Sequence, residues 1–275
     1  MRKKLLFFFL FFVGYYIHLS AQTTPEYTLI AEIKEKTDYI VMDNMEHVYT
    51  YDATNIKKYD KIGTFMFSYS ALSTGRISSV DVYNPFKIMV FSKDFERLVF
   101  LDNKLAIQQS ASILSDLNIL SACVCVSYDN GFWVYDESKK QLFRYDAQYN
   151  LRNTSQMITN FVEKDIDPLF IKETNSGFLL LNDKENGILV FDRFGTYLKS
   201  IPIFTDYFYV YNNQIVYIEN ELLHSIDIQT LQQGKMPLPE EGIQQFCVEK
   251  QKIAILTKDN TVKIFKMEMK KMIND

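Results

Sequence analysis

Histidine is almost missing from this 275-residue chain, which has three. One of them, His18, falls in the first 21 residues, leaving His47 and His224. Two histidines cannot build a multi-His metal site. Nothing beside either one suggests a Ser-His-acid triad. Cysteine is as scarce, with Cys123, Cys125 and Cys247. Cys123 and Cys125 are two apart in an apolar run, so on a strand they share a face and make poor disulfide partners. Either could meet Cys247 across neighbouring strands, but the favoured reading is three small buried hydrophobes. The chain is not a disulfide scaffold. It also lacks a Gly-rich phosphate loop, a paired-Cys motif and a dense Asp loop for calcium. No metal, cofactor or catalytic residue is therefore assigned. The acidic pairs at Asp183-Lys184-Glu185 and Glu240-Glu241 read as solvated turns. Glycoside hydrolysis needs two carboxylates at a fixed separation, which linear sequence does not display.

Long apolar runs are missing too, with one exception at the start. Arg2, Lys3 and Lys4 precede a Phe- and Leu-rich run from Leu5 to Val13, and Ser20-Ala21 follow. This is the pattern of a cleaved secretory signal over residues 1–21, with a retained anchor as the minor alternative. The run is short for a bilayer span. Removing the signal takes three positive charges from a chain of net charge −4 and leaves −7. No basic stripe remains, so no nucleic-acid partner is expected. After the signal no transmembrane span is expected either. The expected location is the periplasm or the outer-membrane periphery.

What is present is a folded composition: 47% hydrophobic, 23% charged and 15% aromatic, the last almost all Tyr and Phe. Such aromatics favour pleated, half-buried surfaces. They are arranged in six copies of one unit. Each copy has an apolar strand, a turn, a second strand, a polar loop and a third strand. The turns fall at Asn44, Asn84-Pro85, Asn130-Gly131, Asn175-Ser176-Gly177, Asn212-Asn213 and Lys250-Gln251. Asn and Gly tolerate the positive φ of tight hairpins. The third strands end at Asp60, Asp102, Asp146, Asp192 and Asp227, with Lys266 in the sixth copy. These Asp residues read as acceptors for turn N–H groups, not as catalysts.

A period of about 40 residues with four short strands per unit is a β-propeller signature. The runs alternate at strand period, which excludes a helical solenoid. A β-sandwich is the runner-up. The sequence thus predicts an all-β, six-bladed β-propeller with four-stranded blades, forming a single domain over residues 22–275. The sixth copy lacks an evident fourth strand. The strand Tyr27–Ile33 is expected to supply it by pairing with Val262–Met267, covering an otherwise open edge. Ser110–Leu120 and Thr154–Ile166 allow a helical turn or two and lie between blades, as recognition loops or as a cap over the centre. The single Trp, Trp133, reads as core in preference to a stacking platform. Arg76 opens the second unit, and Lys93-Asp94 lie in the next loop of that blade. These three are the candidate binding residues, placed at the rim of the central channel.

The blocks Gly75–Val82 through Asn84-Pro85 and then Phe91–Asp102, Ser127–Asp136, and Leu189–Tyr197, behind a signal ending Ser20-Ala21-Gln22, resemble a family of secreted propeller-like proteins of Bacteroidota. In general form they are similar to six-bladed NHL and TolB-like propellers. The resemblance implies the fold and an envelope location, and it carries no catalytic residues. The expected function is a non-enzymatic binding or scaffold protein with a protein partner in the envelope, in possible outer-membrane association. The alternatives are a periplasmic carbohydrate-active lyase or hydrolase, or a small-ligand sensor, with the site at the channel mouth.

Overall fold

The computed structural model describes residues 23–271. The segment read as a signal, residues 1–21, lies outside the described residues. The chain forms six four-stranded antiparallel sheets arranged as the blades of a propeller. Strand β1 (Thr23–Lys34) comes first. Blade 1 then comprises β2 (Tyr39–Met42), β3 (Val48–Tyr51), β4 (Asn55–Tyr59) and β5 (Phe65–Ser70). Blade 2 comprises β6 (Ser79–Asp81), β7 (Ile88–Ser92), β8 (Arg97–Leu101) and β9 (Ile107–Ser112). Blade 3 follows with β10 (Ser121–Val126), β11 (Phe132–Asp136), β12 (Gln141–Tyr145) and β13 (Leu151–Thr154). Blade 4 has β14 (Pro168–Glu173), β15 (Phe178–Asp183), β16 (Gly187–Asp192) and β17 (Tyr197–Ile201). Blade 5 has β18 (Tyr209–Tyr211), β19 (Gln214–Glu219), β20 (Leu222–Asp227) and β21 (Gln233–Pro237). Blade 6 has β22 (Ile243–Glu249), β23 (Lys252–Thr257) and β24 (Thr261–Lys271), and β1 is its outer strand.

Strand alternation builds the ring. On β11, Phe132 and Val134 pack into the core shared with blade 2, and Trp133 and Tyr135 into the core shared with blade 4. Successive side chains on a strand point to opposite faces, so each blade buries both. Six such cores run around the molecule, the last joining Cys247, Ala254 and Leu256 of blade 6 to Ile40, Met42 and Val48 of blade 1. Trp133 is fully buried and donates Nε1–H to Glu173 at 2.8 Å, so it is core. The three cysteines are buried and free. Cys123 and Cys125 lie on β10 and Cys247 on β22, in blades 3 and 6.

Closure follows the expected pairing, with Tyr27 opposite Met267 and Ile33 opposite Val262. The last strand is longer than its sequence suggests. It runs through the Lys- and Met-rich tail to Lys271, all of it paired with β1. This explains why the sixth copy has Lys266 where the others have Asp. In the other blades the Asp caps a turn into a fourth strand, whereas here the chain continues straight.

Those turn caps share one geometry. Asp60, Asp102, Asp146 and Asp192 each accept N–H from the residues two and four positions on, at 2.8–3.0 Å. Asp227 accepts from Gln229 at 3.0 Å and Thr230 at 2.8 Å. The other turns depart from expectation at two places. Asn130, Gly177, Asn212 and Lys250 take positive φ. In blade 2 none of Asn84–Lys87 does, and Asn84 instead accepts N–H from Phe86. In blade 1 the left-handed residue is Glu46, not Asn44, because Asp43 organises the turn by accepting N–H from Met45 and His47. The inter-blade stretches carry the expected short helices, α1 (Ile113–Leu117) and a single helical turn at Ile158–Asn160.

Two predictions follow from closure and capping. Deleting Thr23–Lys34 uncovers the whole edge of β24, and the shortened protein should lose cooperative thermal unfolding and aggregate; retention of the full-length midpoint would show that the ring closes without β1. The second concerns acid. Burial opposes ionisation of Asp60 and Asp146, but the backbone N–H groups of Thr64 and Ile62 at the first, and the Asn150 N–H with the Asn150 and Arg152 side chains at the second, outweigh it and lower both carboxyls. The Thr230 N–H lowers Asp227 likewise. A lowered carboxyl adds stability above the ordinary value of 3.8 and loses it as pH falls further. The melting temperature should therefore drop below about pH 4, and the triple variant Asp60→Asn, Asp146→Asn, Asp227→Asn should show a shallower acid limb.

Candidate functional site

All six inner strands start on one face of the ring and end on the other. The face where they start, here the entrance face, carries the inter-blade loops and the hairpins between second and third strands. A cavity of about 460 Å³ opens there, lined by residues from β2, β6, β10, β14, β18 and β22. A smaller cavity of about 130 Å³ opens on the opposite face among Asn44, Asn175 and Asn212. Val41, Val80, Lys172, Tyr209 and Val210 line both, so they form the waist between the two cavities along the axis of the ring.

The waist is fixed by bonds between blades, two of which skip a neighbour. Lys172 of blade 4 donates to Asp81 Oδ1 of blade 2 at 2.7 Å. Asp81 also accepts N–H from Val126 of blade 3 through Oδ2 and from Tyr83 through Oδ1, each at 3.0 Å. One carboxylate thus ties three blades together. Across the ring, Tyr209 of blade 5 donates to the Met42 carbonyl of blade 1 at 3.0 Å. Gln245 of blade 6 accepts the Ile40 N–H at 2.7 Å. The Asp81 carboxylate is largely buried and tolerates this because the ammonium and both N–H groups satisfy it, while the Lys172 side chain keeps part of its surface in solvent.

Above the waist the walls are aromatic. Tyr39 stacks on Tyr51 with centroids 5.0 Å apart and remains 47% exposed. Tyr207 meets Phe246 edge-on at 5.8 Å and lies 6.1 Å from Phe170. Burial pushes the phenols of Tyr51, Tyr207 and Tyr209 above their usual range. They are therefore neutral hydrogen-bonding groups at physiological pH. The loops that frame the mouth are pinned from beneath. Buried Thr37 donates its hydroxyl to the Tyr51 carbonyl at 3.0 Å and sets the loop bearing Asp38. Asn182 donates to the Thr205 carbonyl at 2.8 Å and sets the loop bearing Asp206.

Arg76, Lys93 and Asp94 lie on the entrance face, on two touching loops of blade 2. The Lys93 N–H donates to Ser78 Oγ at 3.0 Å. A Cβ on Gly75 would meet Phe95 and Ser92 at 2.4 Å, which shows how closely the loops pack. All three side chains are exposed and none lines the cavity, whose wall on this side is Ser78 and Ser79. Lys93 pairs outwards with Glu137 of blade 3 at 2.8 Å. Of the two histidines, His47 bonds to Asp43 at 2.9 Å and His224 stacks on Tyr217 at 5.4 Å, in blades 1 and 5. Asp183 is not the solvated residue expected. It is buried and accepts N–H from Asp167, Glu185 and Asn186. Among the described residues no group of three or more His, Cys, Asp and Glu is placed to hold a metal ion.

Sequence reasoning passed over Lys172, Asp81 and the four channel tyrosines. A signal was present: Lys172 directly follows the apolar run Leu169-Phe170-Ile171, and Asp81 stands between Val80 and Val82.

No protein-family model matches the chain, and no curated protein matches its sequence. Solved structures do match in shape. A streptogramin B lyase superposes with TM-score 0.57 at 13% identity, over 90% of this chain and 89% of its own. A catalytically inactive virginiamycin B lyase from Staphylococcus aureus, bound to quinupristin, gives 0.56 at 12%, over 82% and 79%. The Pan2 WD40 domain of Neurospora crassa gives 0.58 at 9%, over 94% and 99%. The fold is a six-bladed propeller. At these identities the likeness extends to the fold alone.

The waist is directly testable. Asp81→Ala leaves Lys172 and two backbone N–H groups without an acceptor and should cost about 3 kcal/mol in urea unfolding. Lys172→Met leaves Asp81 its two N–H donors and should cost about 1 kcal/mol. Equal losses would show that the ion pair, and not the three-blade tie, sets the stability.

Proposed function

We propose that this chain is a non-enzymatic binding or scaffold protein of the bacterial cell envelope, engaging a partner protein over its entrance face. The observation that carries the reading is the 460 Å³ cavity built from all six inner strands and opening among the inter-blade loops. Loops on a rigid ring are where propeller-like scaffolds present recognition surfaces. Exposed apolar side chains stand on the connections of this face, among them Leu72, Phe95, Leu114 and Phe204. Arg76, Lys93 and Asp94 stand beyond them as rim contacts for the same partner. A basic, apolar N-terminus read as a secretory signal supports export to the periplasm or the outer-membrane periphery.

The second reading is an enzyme, a carbohydrate-active lyase or hydrolase, or a small-ligand sensor at the same mouth. It draws on the carboxylates, tyrosines and ammonium that share the cavity. Two features weigh against proton-transfer chemistry. Lys172 and Asp81 are committed to each other, and the enclosed phenols ionise only far above neutrality.

The test is co-purification from envelope membranes. The wild type should retain a reproducible partner that Tyr39→Ala loses roughly tenfold, while Phe86→Ala on the opposite face keeps it. Equal retention by all three proteins would remove the entrance cavity from the interface.

A further inference from the structure

The entrance cavity is unbalanced in charge. Three carboxylates line it, Asp38, Asp81 and Asp206, against one ammonium, Lys172. Lys172 is bound to Asp81 at 2.7 Å, so the remaining pair, Asp38 and Asp206, sets the character of the mouth. Both are exposed, one on the loop leading into β2 and the other on the loop leading into β18. Neither forms a salt bridge among the described residues. Lys184 feels Asp206 only through the longer-range field, and its own bridge is to Asp167 at 2.7 Å. Arg76 stands on the neighbouring loop and is not part of the lining.

The aromatic wall points to the same ligand. Ring faces of Tyr and Phe carry negative electrostatic potential and attract ammonium and guanidinium groups. Tyr39 has one face covered by Tyr51 yet stays about half exposed, which leaves ring surface open to the cavity. Tyr207 and Phe170 continue the wall below Asp206. A cation on an apolar stem satisfies all of this at once, with its charge between the two carboxylates and its stem along the rings. The volume lies within the roughly 300–1,000 Å³ of small-ligand pockets. An anion would instead meet two unpaired carboxylates and the negative ring faces.

We infer that the cavity binds an alkylammonium or guanidinium group on an apolar stem, the basic side chain of a partner protein's exposed loop. This rests on the entrance face being the binding face and adds the chemistry of what enters it.

Calorimetric titration of the whole protein tests it with matched probes. These are a short peptide with one central arginine, the same peptide with neutral citrulline, and free N-acetyl-arginine amide. The arginine peptide should bind about tenfold tighter than the citrulline peptide at low salt. That preference should shrink at about 0.5 M salt, where charges are screened. The double variant Asp38→Asn, Asp206→Asn should lose the preference while keeping its melting temperature and its citrulline-peptide affinity. Tyr39→Ala should weaken both peptides. Free N-acetyl-arginine amide binding as tightly as the peptide would keep the cation site and overturn the partner loop as its source. Equal affinity for the arginine and citrulline peptides would overturn the cation inference and leave the entrance face as a binding site. Absence of saturable binding by all three probes would also overturn it, and the membrane co-purification would then decide separately whether the face binds anything.

Discussion

Every blade of this protein is buried on both faces, and most of the structure follows from that constraint. A sheet packed on one side can carry polar residues on the other, but a propeller blade is sandwiched between two neighbours. Its middle strands must therefore be apolar at successive positions, as in Phe132-Trp133-Val134-Tyr135 and Leu179-Leu180-Leu181. Polar atoms that enter such cores need partners, and Trp133 finds one in Glu173. Glu173 is held uncharged more readily than usual, because burial raises its carboxyl even as Trp133 donates to it. The same constraint confines chemistry to the ring's two ends and its axis, where the inner strands meet solvent.

Much of this was legible in the sequence, because the repeat is encoded locally. A strand pair, its turn and its capping Asp lie within a few residues of one another. The caps at Asp60, Asp102, Asp146, Asp192 and Asp227 could be read from one unit and recognised in the next. The closing strand was legible for a different reason: a sixth unit with three strands needs a fourth, and Tyr27–Ile33 was the one strand without a unit. The exchange of Asp for Lys266 belongs to the same logic and became plain only once β24 was seen to continue.

The channel was not legible, because no local stretch encodes it. Lys172 and Asp81 are 91 residues apart, and Tyr209 and Met42 are separated by 167. Which inner-strand residue faces the axis depends on the tilt of its blade, and the mouth depends on loops of unequal length. A second set of turn caps on the entrance face, Asp52, Asp136 and Asp183, was hidden for a related reason. It occurs in blades 1, 3 and 4 alone, so it breaks the repeat instead of marking it. Arg76, Lys93 and Asp94 were chosen for being charged near an inner strand. The loops they occupy pack on each other and hold them outside the channel lining.

The seam between β1 and β24 also sets the order in which the molecule can form. Its strands are roughly 240 residues apart in the chain, so bringing them together costs on the order of 5 kcal/mol of loop entropy. Blades 1 to 5 are each made of consecutive residues and can assemble on neighbours already in place. Blade 6 alone requires the first strand and the last together. Folding is thus local for most of its course and committed by one long-range event, and until that event the growing ring is an arc with two unsatisfied ends. Once the seam is made, losing it means opening the circle, so the contact of longest range in assembly is also the lock on disassembly.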